Sequence, residues 1–322
     1  MNNPEDIVVD VDEQVQWLNA HKDTTGYSWS VLAAKSGIPK GTLSQIATGG
    51  YAGSKQNAAE RIYRYRQLVE SQAERAIVLP EAPKYIDTPT SRRIRSLLIS
   101  AQRGRITVAG TGPGTGKTLT MREYQASVAN VWVATMEPTT RSLATMISAV
   151  MKAVGGVHSR GYGSQMSALV RDAVAGRGGL LVIDEANHCD LDSLEQLRAW
   201  HDATGVGICL LGNEELITRI RSGSSRHAFG RLNSRINMSH VQDLPLADDI
   251  DAYLDAWNIE DAAMRKMLHT IGLTPGAGGL REISQIIENA SILACEDEQP
   301  LSLGHLREAT STRSTRYIRI TS

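Results

Sequence analysis

The sequence predicts an α/β protein built on a parallel sheet, followed by a helical region and preceded by a small all-α domain. Three observations lead to this fold class. A glycine-rich loop joins an apolar run to a helical pattern, later apolar runs end in acidic or amide side chains, and short helices around a glycine turn precede them all. Because strands and helices alternate in the middle of the chain, we expect a parallel sheet covered by helices.

Length and composition are those of an ordinary globular protein. At 322 residues the chain is longer than an average domain, so two or three folding units are expected. No apolar run approaches the ~20 residues of a membrane span, the acidic N-terminal segment is unlike a signal peptide, and three widely spaced cysteines suit a reducing compartment. We therefore expect a cytoplasmic protein. Its net charge of −1 means that any attraction to nucleic acid must come from local patches.

A phosphate-binding loop is the strongest motif in the chain. Its nine residues are Gly110-Thr111-Gly112-Pro113-Gly114-Thr115-Gly116-Lys117-Thr118. The glycines let backbone N–H groups turn toward a triphosphate, and the following helix presents the positive end of its dipole. Lys117 is expected to contact the β and γ phosphates, and Thr118 to help hold Mg²⁺. Thr111 stands where this motif usually has its first glycine, between two other glycines. A chance glycine loop is disfavoured because a strand and a helix flank it.

Two adjacent acids end the apolar run 180–183. Such a run describes a buried parallel strand, and open α/β sheets hold their ligands at the carboxyl ends of their strands. Asp184 is predicted to complete the Mg²⁺ shell and Glu185 to polarise the water that attacks the γ-phosphate. An Asp-Glu pair at a strand end is common by chance, but this one follows a phosphate-binding loop. His188 and Cys189 lie just beyond and make no metal site by themselves.

Three later polar residues are further candidates. Asn213 follows the apolar run 206–211, where its amide suits a bridge to the attacking water or the γ-phosphate; it equally suits the N-cap of the next helix. Arg231 and Arg235 lie four apart, and a guanidinium inserted into a neighbouring copy's site stabilises a transferring phosphoryl group. Arg281 begins a helix in the C-terminal region, from which it is expected to reach the γ-phosphate.

The N-terminal region is predicted to form a helix-turn-helix. Residues 28–46 carry an apolar helical pattern, a stop at Gly37, and a second helix that begins after Pro39. The exposed candidates for DNA contact on the second helix are Lys40, Thr42, Ser44 and Gln45. The alternative is a small helical domain that contacts protein.

Basic residues support the first of these alternatives. Residues 35–75 include seven Lys/Arg and only three Glu. Among them Arg61, Arg64 and Arg66 alternate with tyrosines, a mixture that suits phosphate binding. Farther on, Arg103 and Arg105 end a stretch from residue 92 with five arginines and no acid. A solvated helix face and a DNA-phosphate contact explain that stretch equally well.

These features divide the chain into five segments. We expect a helix-turn-helix domain over 1–75, a proline-containing linker over 76–90, an α/β ATPase core over 91–242, a helical lid over 243–310 and a basic C-terminal tail over 311–322.

The order of these motifs resembles the AAA+ ATPase family. The resemblance rests on the phosphate-binding loop, the Asp-Glu pair, an Asn after the next strand, Arg-Leu-Asn-Ser-Arg at 231–235 and Gly-Leu-Arg at 279–281. It implies an AAA+ parallel sheet with a helical lid. By this resemblance Asn213 is a sensor residue, Arg235 rather than Arg231 is an arginine finger that acts in trans, and Arg281 is a second sensor.

A closer resemblance is to the phage Mu B transposition family. It rests on the preceding helix-turn-helix, Leu-Pro-x-x-Pro at 79–83, Asn-Val-Trp at 130–132, Ile-Asp-Glu-Ala-x-His at 183–188 and Leu-Gly-Asn at 211–213. It implies an ATP- and Mg²⁺-dependent ATPase that binds double-stranded DNA with little sequence preference, assembles on it as a helical filament, and delivers it to a DDE transposase in a bacterial host. Two alternatives stay open: an ATP-switched transcription regulator that binds an operator, and a helicase-loader-like replication adaptor.

Overall fold

The computed structural model describes residues 9–78, 85–155, 163–222 and 226–313, with side-chain surroundings left out at 72–78, 222 and 226–229. The chain divides into two compact units, Met1–Glu81 and Ala82–Ser322. Each unit has its own hydrophobic core.

The described part of the first unit is helical. Its helices are α1 (Val11–Thr25), α2 (Trp29–Ser36), α3 (Lys40–Ala47) and α4 (Lys55–Val78). Their apolar faces meet in one core, which includes Leu18, Leu32, Ile38, Leu43, Ile46 and Ile62. Burial of these faces stabilises helices that are, at eight residues for α2 and α3, too short to be stable alone.

The turn between α2 and α3 forms where the sequence indicates. Gly37 ends α2 with φ at 67°, a left-handed conformation that favours glycine. Ile38 is buried beneath the turn, and Arg61 on α4 donates a hydrogen bond of 2.8 Å to the Gly37 carbonyl. The helix pair expected over 28–46 is therefore present, and its use on DNA stays a prediction.

The second unit is built on a parallel sheet, which confirms the predicted α/β fold class. The strands are β1 (Ile106–Thr111), β2 (Val131–Thr135), β3 (Leu180–Asp184), β4 (Gly207–Gly212) and β5 (Ile236–Gln242), in the order β2-β3-β4-β1-β5. β1, β3 and β4 are buried throughout because helices cover both faces of the sheet. All carboxyl ends of the strands lie at one edge, which positions the site described below.

Helices cover the sheet and continue into a lid. Those around the sheet are α5 (Pro89–Gln102), α6 (Lys117–Ser127), α7 (Leu143–Ala153), α8 (Gly163–Val174), α9 (Leu191–Thr204), α10 (Glu214–Ser222) and α11 (Arg226–Asn233). The lid helices are α12 (Ala247–Ala256), α13 (Ala262–Gly272), α14 (Gly279–Glu296) and α15 (Leu303–Ser311). Helices α5 and α6 pack on one face of the sheet, helices α7 to α10 pack on the other, and the lid has a core of its own.

Several segment boundaries differ from the prediction. Helix α4 continues to Val78 and α5 begins at Pro89, so both ends of the expected linker 76–90 are helical. Residues 79–84 lie outside the described residues. Near the start of the expected tail, Arg313 forms an ion pair of 2.9 Å with the buried carboxylate of Glu282, so this part of the chain packs on the lid. Its remainder, 314–322, lies outside the described residues. Helices α9 and α11 and strand β5 are elements that the sequence analysis did not assign.

We expect Gly207→Ala to destabilise the second unit. A Cβ at this position would lie 1.9 Å from the Ala101 carbonyl oxygen, because the end of α5 packs directly on β4. Such overpacking costs about 1–3 kcal/mol. Gly230→Ala is the control: it belongs to helix α11, and among the described residues nothing beyond its own helix lies within 4 Å of the added Cβ. Alanine there should stabilise by roughly 0.5–1 kcal/mol. Urea unfolding measures both, and equal midpoints for the two variants would contradict the packing argument.

Candidate nucleotide site

The glycine-rich loop joins the carboxyl end of β1 to the first turn of α6. Gly114 and Gly116 have φ angles of 72° and 87°, so these two positions require glycine. Lys117 is the first residue of α6, and the N-terminal N–H groups of that helix lie at the loop. This is the geometry in which backbone donors and the helix dipole attract phosphate.

The backbone of this loop is held from two sides. The Gly112 N–H donates to the Gln242 carbonyl at the end of β5, and the Leu280 N–H of the lid donates to the Gly114 carbonyl, both at 2.9 Å. A Cβ at Gly112 would lie 1.9 Å from the Asp243 oxygen, and one at Gly114 would lie 1.9 Å from the Gly278 oxygen. The loop therefore contacts the start of the lid through main-chain atoms.

Thr111 fits this loop although the motif usually has glycine there. Thr111 is the last residue of β1, and it is absent from the described residues with positive φ, so glycine is not required. Its buried hydroxyl lies 3.0 Å from the Thr115 hydroxyl, which is also 3.0 Å from the Gly112 carbonyl. The departure from the motif adds a side-chain contact inside the loop.

Lys117, Thr118 and Asp184 meet at the carboxyl edge of the sheet. The Lys117 ammonium donates to the Gly212 carbonyl at 3.0 Å, and the Thr118 hydroxyl donates to the Asp184 carboxylate at 3.3 Å. Asp184 is 2% exposed. Burial raises the pKa of Asp184, and Lys117 opposes that rise. A buried carboxylate beside a hydroxyl is a donor set that suits a divalent cation.

Glu185 follows β3 in a strained conformation. Its φ of 53° is left-handed, which is uncommon for a residue other than glycine. This turn brings the Glu185 carboxylate to 3.8 Å from the Lys117 ammonium and leaves its side chain 40% exposed. The same turn directs the Glu185 N–H at the Asp184 carboxylate, 3.1 Å away. The two adjacent acids therefore differ in environment, one buried and one solvated.

A cleft of about 510 Å³ opens over the loop. Its walls include Tyr85 and Ile86 on one side, Tyr253 and Leu280 from the lid, and Glu185. The Tyr85 hydroxyl oxygen is buried and has no hydrogen-bond partner in the described part of the chain. The volume, the apolar walls and this unpaired polar atom suit a nucleotide whose phosphates lie on the loop.

Arg281 lines the cleft, whereas Asn213 is not among its lining residues. Arg281 is exposed in the first turn of α14, on the lid side of the cleft. Asn213 follows β4, and its side-chain oxygen accepts from the Leu216 N–H at 3.4 Å, the helix-capping geometry. The structure thus gives Asn213 the capping contact, and a second role toward a phosphate stays a prediction.

Arg235 lies far from the loop of its own chain. It directly precedes β5, whose Ile236 pairs with Ile106 at the start of β1, so Arg235 lies at the amino edge of the sheet. The six residues of β1 separate the two edges by roughly 17–20 Å, at about 3.3 Å per residue. Its Nε donates to Asp202 at 3.1 Å. Burial raises the pKa of Asp202, but Arg235 and Arg198 outweigh it and hold that pKa below its usual value.

The predicted DNA contacts differ in their freedom to bind phosphate. In the first unit Arg66 pairs with Glu13 and Glu70, and Arg61 donates to the Gly37 carbonyl. Arg61 nevertheless remains exposed, and a role of either arginine on DNA stays a prediction. Lys40, Gln45 and Arg64 are exposed, whereas Thr42 and Ser44 are half-buried. In the second unit Arg103 and Arg105 are exposed between α5 and β1, at the amino edge of the sheet.

Arg219 is a residue near the site that sequence reasoning missed. Its guanidinium donates to the carbonyls of Asn187 and Cys189, each at 2.8 Å, and so fixes the turn after Glu185. An arginine in the last turn of an amphipathic helix carries no signal of such a contact. Cys189 itself is buried, which raises the pKa of its thiol to about 12, so it is no nucleophile.

Two classes of site and segment are not found within the described residues. These residues contain no group of three or more His, Cys, Asp or Glu side chains that could hold a metal ion by themselves. They also contain no helix that is both long and apolar enough to span a membrane.

We expect Asp184→Asn to raise thermal stability while weakening stabilisation by ATP and Mg²⁺. Because the folded state raises the pKa of Asp184, its ionised form destabilises the fold at neutral pH. The isosteric amide removes that charge, and the gain should shrink as pH falls and the native carboxyl takes up a proton. Thermal melts with and without ATP and Mg²⁺ measure both effects. Asp192→Asn, on the exposed first turn of α9, should give no gain; a lower melting temperature for Asp184→Asn would contradict this account.

Comparisons with known proteins identify relatives of this chain. Residues 99–220 match the AAA domain, and residues 234–312 match the family described as Mu B transposition protein, C terminal. The Mu-like prophage FluMu DNA transposition protein B of Haemophilus influenzae is 32% identical over 272 residues, which cover 83% of this chain and 93% of that protein. The ATP-dependent target DNA activator B of Escherichia phage Mu is 28% identical over 303 residues, 94% of each chain.

Solved structures overlap more loosely. A Drosophila ORC structure bound to DNA aligns with 79% of this chain and 69% of that chain at 14% identity and a TM-score of 0.49, too low to bear on function. The sequence relatives decide the family, because one exceeds 30% identity over most of both chains. The chain belongs to the Mu B family of DNA transposition proteins and carries an AAA ATPase domain.

Proposed function

We propose that this chain is an ATPase of DNA transposition that binds target DNA when it holds ATP and activates a transposase. The observation that carries the proposal is the loop, lysine and acid pair around one cleft, in a chain whose relatives are named for ATP-dependent activation of target DNA. The family match supports transposition over the operator-binding and helicase-loading alternatives.

Different residues of the cleft have different roles in ATP hydrolysis. The loop N–H groups and the Lys117 ammonium bind the phosphates, and Arg281 reaches the γ-phosphate from the lid. Thr118 and Asp184 would hold Mg²⁺, which neutralises phosphate charge when bound. Glu185, whose side chain is 40% exposed beside Lys117, accepts a proton from the attacking water. The hydrogen bond from the Leu280 N–H to the Gly114 carbonyl links the loop to α14, so nucleotide binding in the cleft affects the position of that helix.

A second copy of the chain completes the site. Arg235 lies at the sheet edge opposite its own loop, so it serves a nucleotide bound by a neighbour. This arrangement makes hydrolysis depend on assembly, and it supports a helical filament of copies along DNA. An arginine that stabilises the transferring phosphoryl group raises kcat by about 10³–10⁵ in well-studied systems.

Phosphate contacts supply the affinity for DNA. The exposed candidates are Lys40, Gln45, Arg61 and Arg64 in the first unit and Arg103 and Arg105 in the second. A protein that binds through phosphates shows a steep loss of affinity with salt and little preference among sequences. An operator-binding regulator would instead prefer one site by roughly 10³-fold or more.

Glu185→Gln should bind ATP, hydrolyse it roughly 10²-fold or more slowly, and stay on DNA. The amide keeps the shape of the side chain but accepts no proton from water. Filter binding to labelled duplex DNA with ATP and Mg²⁺ measures retention, and phosphate release measures turnover. Lys117→Ala is the matched control, because it removes the phosphate contact and should abolish ATP-dependent DNA binding. Normal hydrolysis by Glu185→Gln would remove Glu185 from its role, and unchanged binding by Lys117→Ala would refute the coupling of ATP to DNA.

Arg235→Ala and Lys117→Ala should complement each other when mixed. The first keeps an intact nucleotide site, the second keeps an intact Arg235, and an arginine acting in trans lets the pair form working sites. Each variant alone should lose at least about 10²-fold in DNA-stimulated hydrolysis. A mixture that remains as inactive as its components would show that Arg235 does not act across the interface.

A further inference from the structure

A line of charged side chains runs along α9 and ends at Arg235. Glu195 contacts Arg198 at 3.2 Å, Arg198 contacts Asp202 one turn later, and Asp202 contacts Arg235 at 3.1 Å. The first three lie on one face of the helix because they are three and four residues apart. Asp202 thus contacts two cations: Arg198 on its own helix, and Arg235, which precedes β5.

The contact with Asp202 uses one nitrogen of Arg235 and leaves two. Asp202 accepts from the Arg235 Nε, and neither terminal Nη group has a hydrogen-bond partner in the described part of the chain. The Arg235 side chain is 49% exposed. A guanidinium fixed through Nε still presents two N–H-bearing nitrogens, which is the donor pair that binds phosphate oxygens in a bidentate manner.

Asp202 stands where local helix energetics disfavour an acid. It lies in the last turn of α9, which ends at Thr204, and the dipole of a helix disfavours negative charge at that end. Ion pairs with Arg198 and Arg235 offset that cost, although each surface ion pair by itself contributes little to stability. A role in orienting Arg235 accounts for both facts.

We propose that Asp202 is the positioning residue for Arg235: it fixes the guanidinium through Nε so that both Nη groups face a neighbouring copy's nucleotide. The inference rests on the proposed role of Arg235 in trans and adds to it the group that orients the arginine. Asp202 itself touches no nucleotide; its effect passes entirely through the side chain that it holds. Arg198 holds the Asp202 carboxylate through its other oxygen, Oδ2.

Hydrolysis by four variants tests the inference: Asp202→Ala, Asp202→Asn, Arg235→Ala and Asp202→Ala with Arg235→Ala. Asp202→Ala should lower kcat of DNA-stimulated hydrolysis by about 10- to 100-fold, the effect of a misplaced reacting group, with unchanged ATP affinity. Asp202→Asn should lose less, because its amide oxygen still accepts from Nε. In the Arg235→Ala background, Asp202→Ala should cause no further loss. Mixing Asp202→Ala with Lys117→Ala should restore activity, because the second chain supplies a correctly held Arg235.

Asp192→Asn is the matched control. It removes one negative charge from the exposed first turn of the same helix, outside the ion pairs that join Arg198, Asp202 and Arg235, so it should hydrolyse ATP nearly as the native chain does. Thermal melts and nucleotide binding by each variant verify folding, which a surface carboxylate should leave intact.

The results distinguish failure of the positioning role of Asp202 from failure of the trans role of Arg235. If Arg235→Ala fails while Asp202→Ala hydrolyses normally, or if their losses multiply, the positioning role is wrong and the trans arginine stands. If Arg235→Ala hydrolyses normally, both the trans arginine and the positioning role are wrong. Loss of ATP affinity in Asp202→Ala would likewise overturn the inference, since it would make the residue part of its own chain's site.

Discussion

The second unit depends on how the phosphate-binding loop is fixed between the sheet and the lid. Two main-chain hydrogen bonds hold it, from Gly112 to the end of β5 and from the first turn of α14 to Gly114. Both glycines lack the space for a Cβ, so at these two positions the loop contacts its neighbours with backbone atoms alone. A phosphate that draws the loop N–H groups inward must therefore act on the lid as well. The nucleotide site and the lid are therefore joined by a direct main-chain contact.

The acids of the site illustrate how local stability is given up for chemistry. Asp184 is buried at a strand end, where its charge is costly, and Glu185 adopts a left-handed backbone conformation that few side chains favour. The surrounding strands, buried on both faces, hold these conformations in place. The result is one carboxylate in a dry environment suited to a cation and a solvated one suited to a proton, within two adjacent residues.

Sequence alone predicted the parts of this protein whose pattern is local. The loop glycines, the buried strands β3 and β4 and the lid helices follow from spacing and apolar period, and the structure has them within a few residues. It did not predict β5, because an edge strand with exposed side chains has little apolar alternation. Nor did it predict the ion pair between Arg66 and Glu13, which lie 53 residues apart in the sequence. Long-range pairings of this kind arise only when the chain is folded.

Under the proposed function, the separation of Arg235 from its own loop couples hydrolysis to assembly of the chain, and that assembly takes place on DNA. Sedimentation velocity of the native chain with a duplex of fixed length and Mg²⁺, in the presence or absence of ATP, tests this coupling most directly. The account predicts large DNA-bound assemblies with ATP and small species without it. A chain that sediments as a monomer apart from DNA under both conditions would contradict the account.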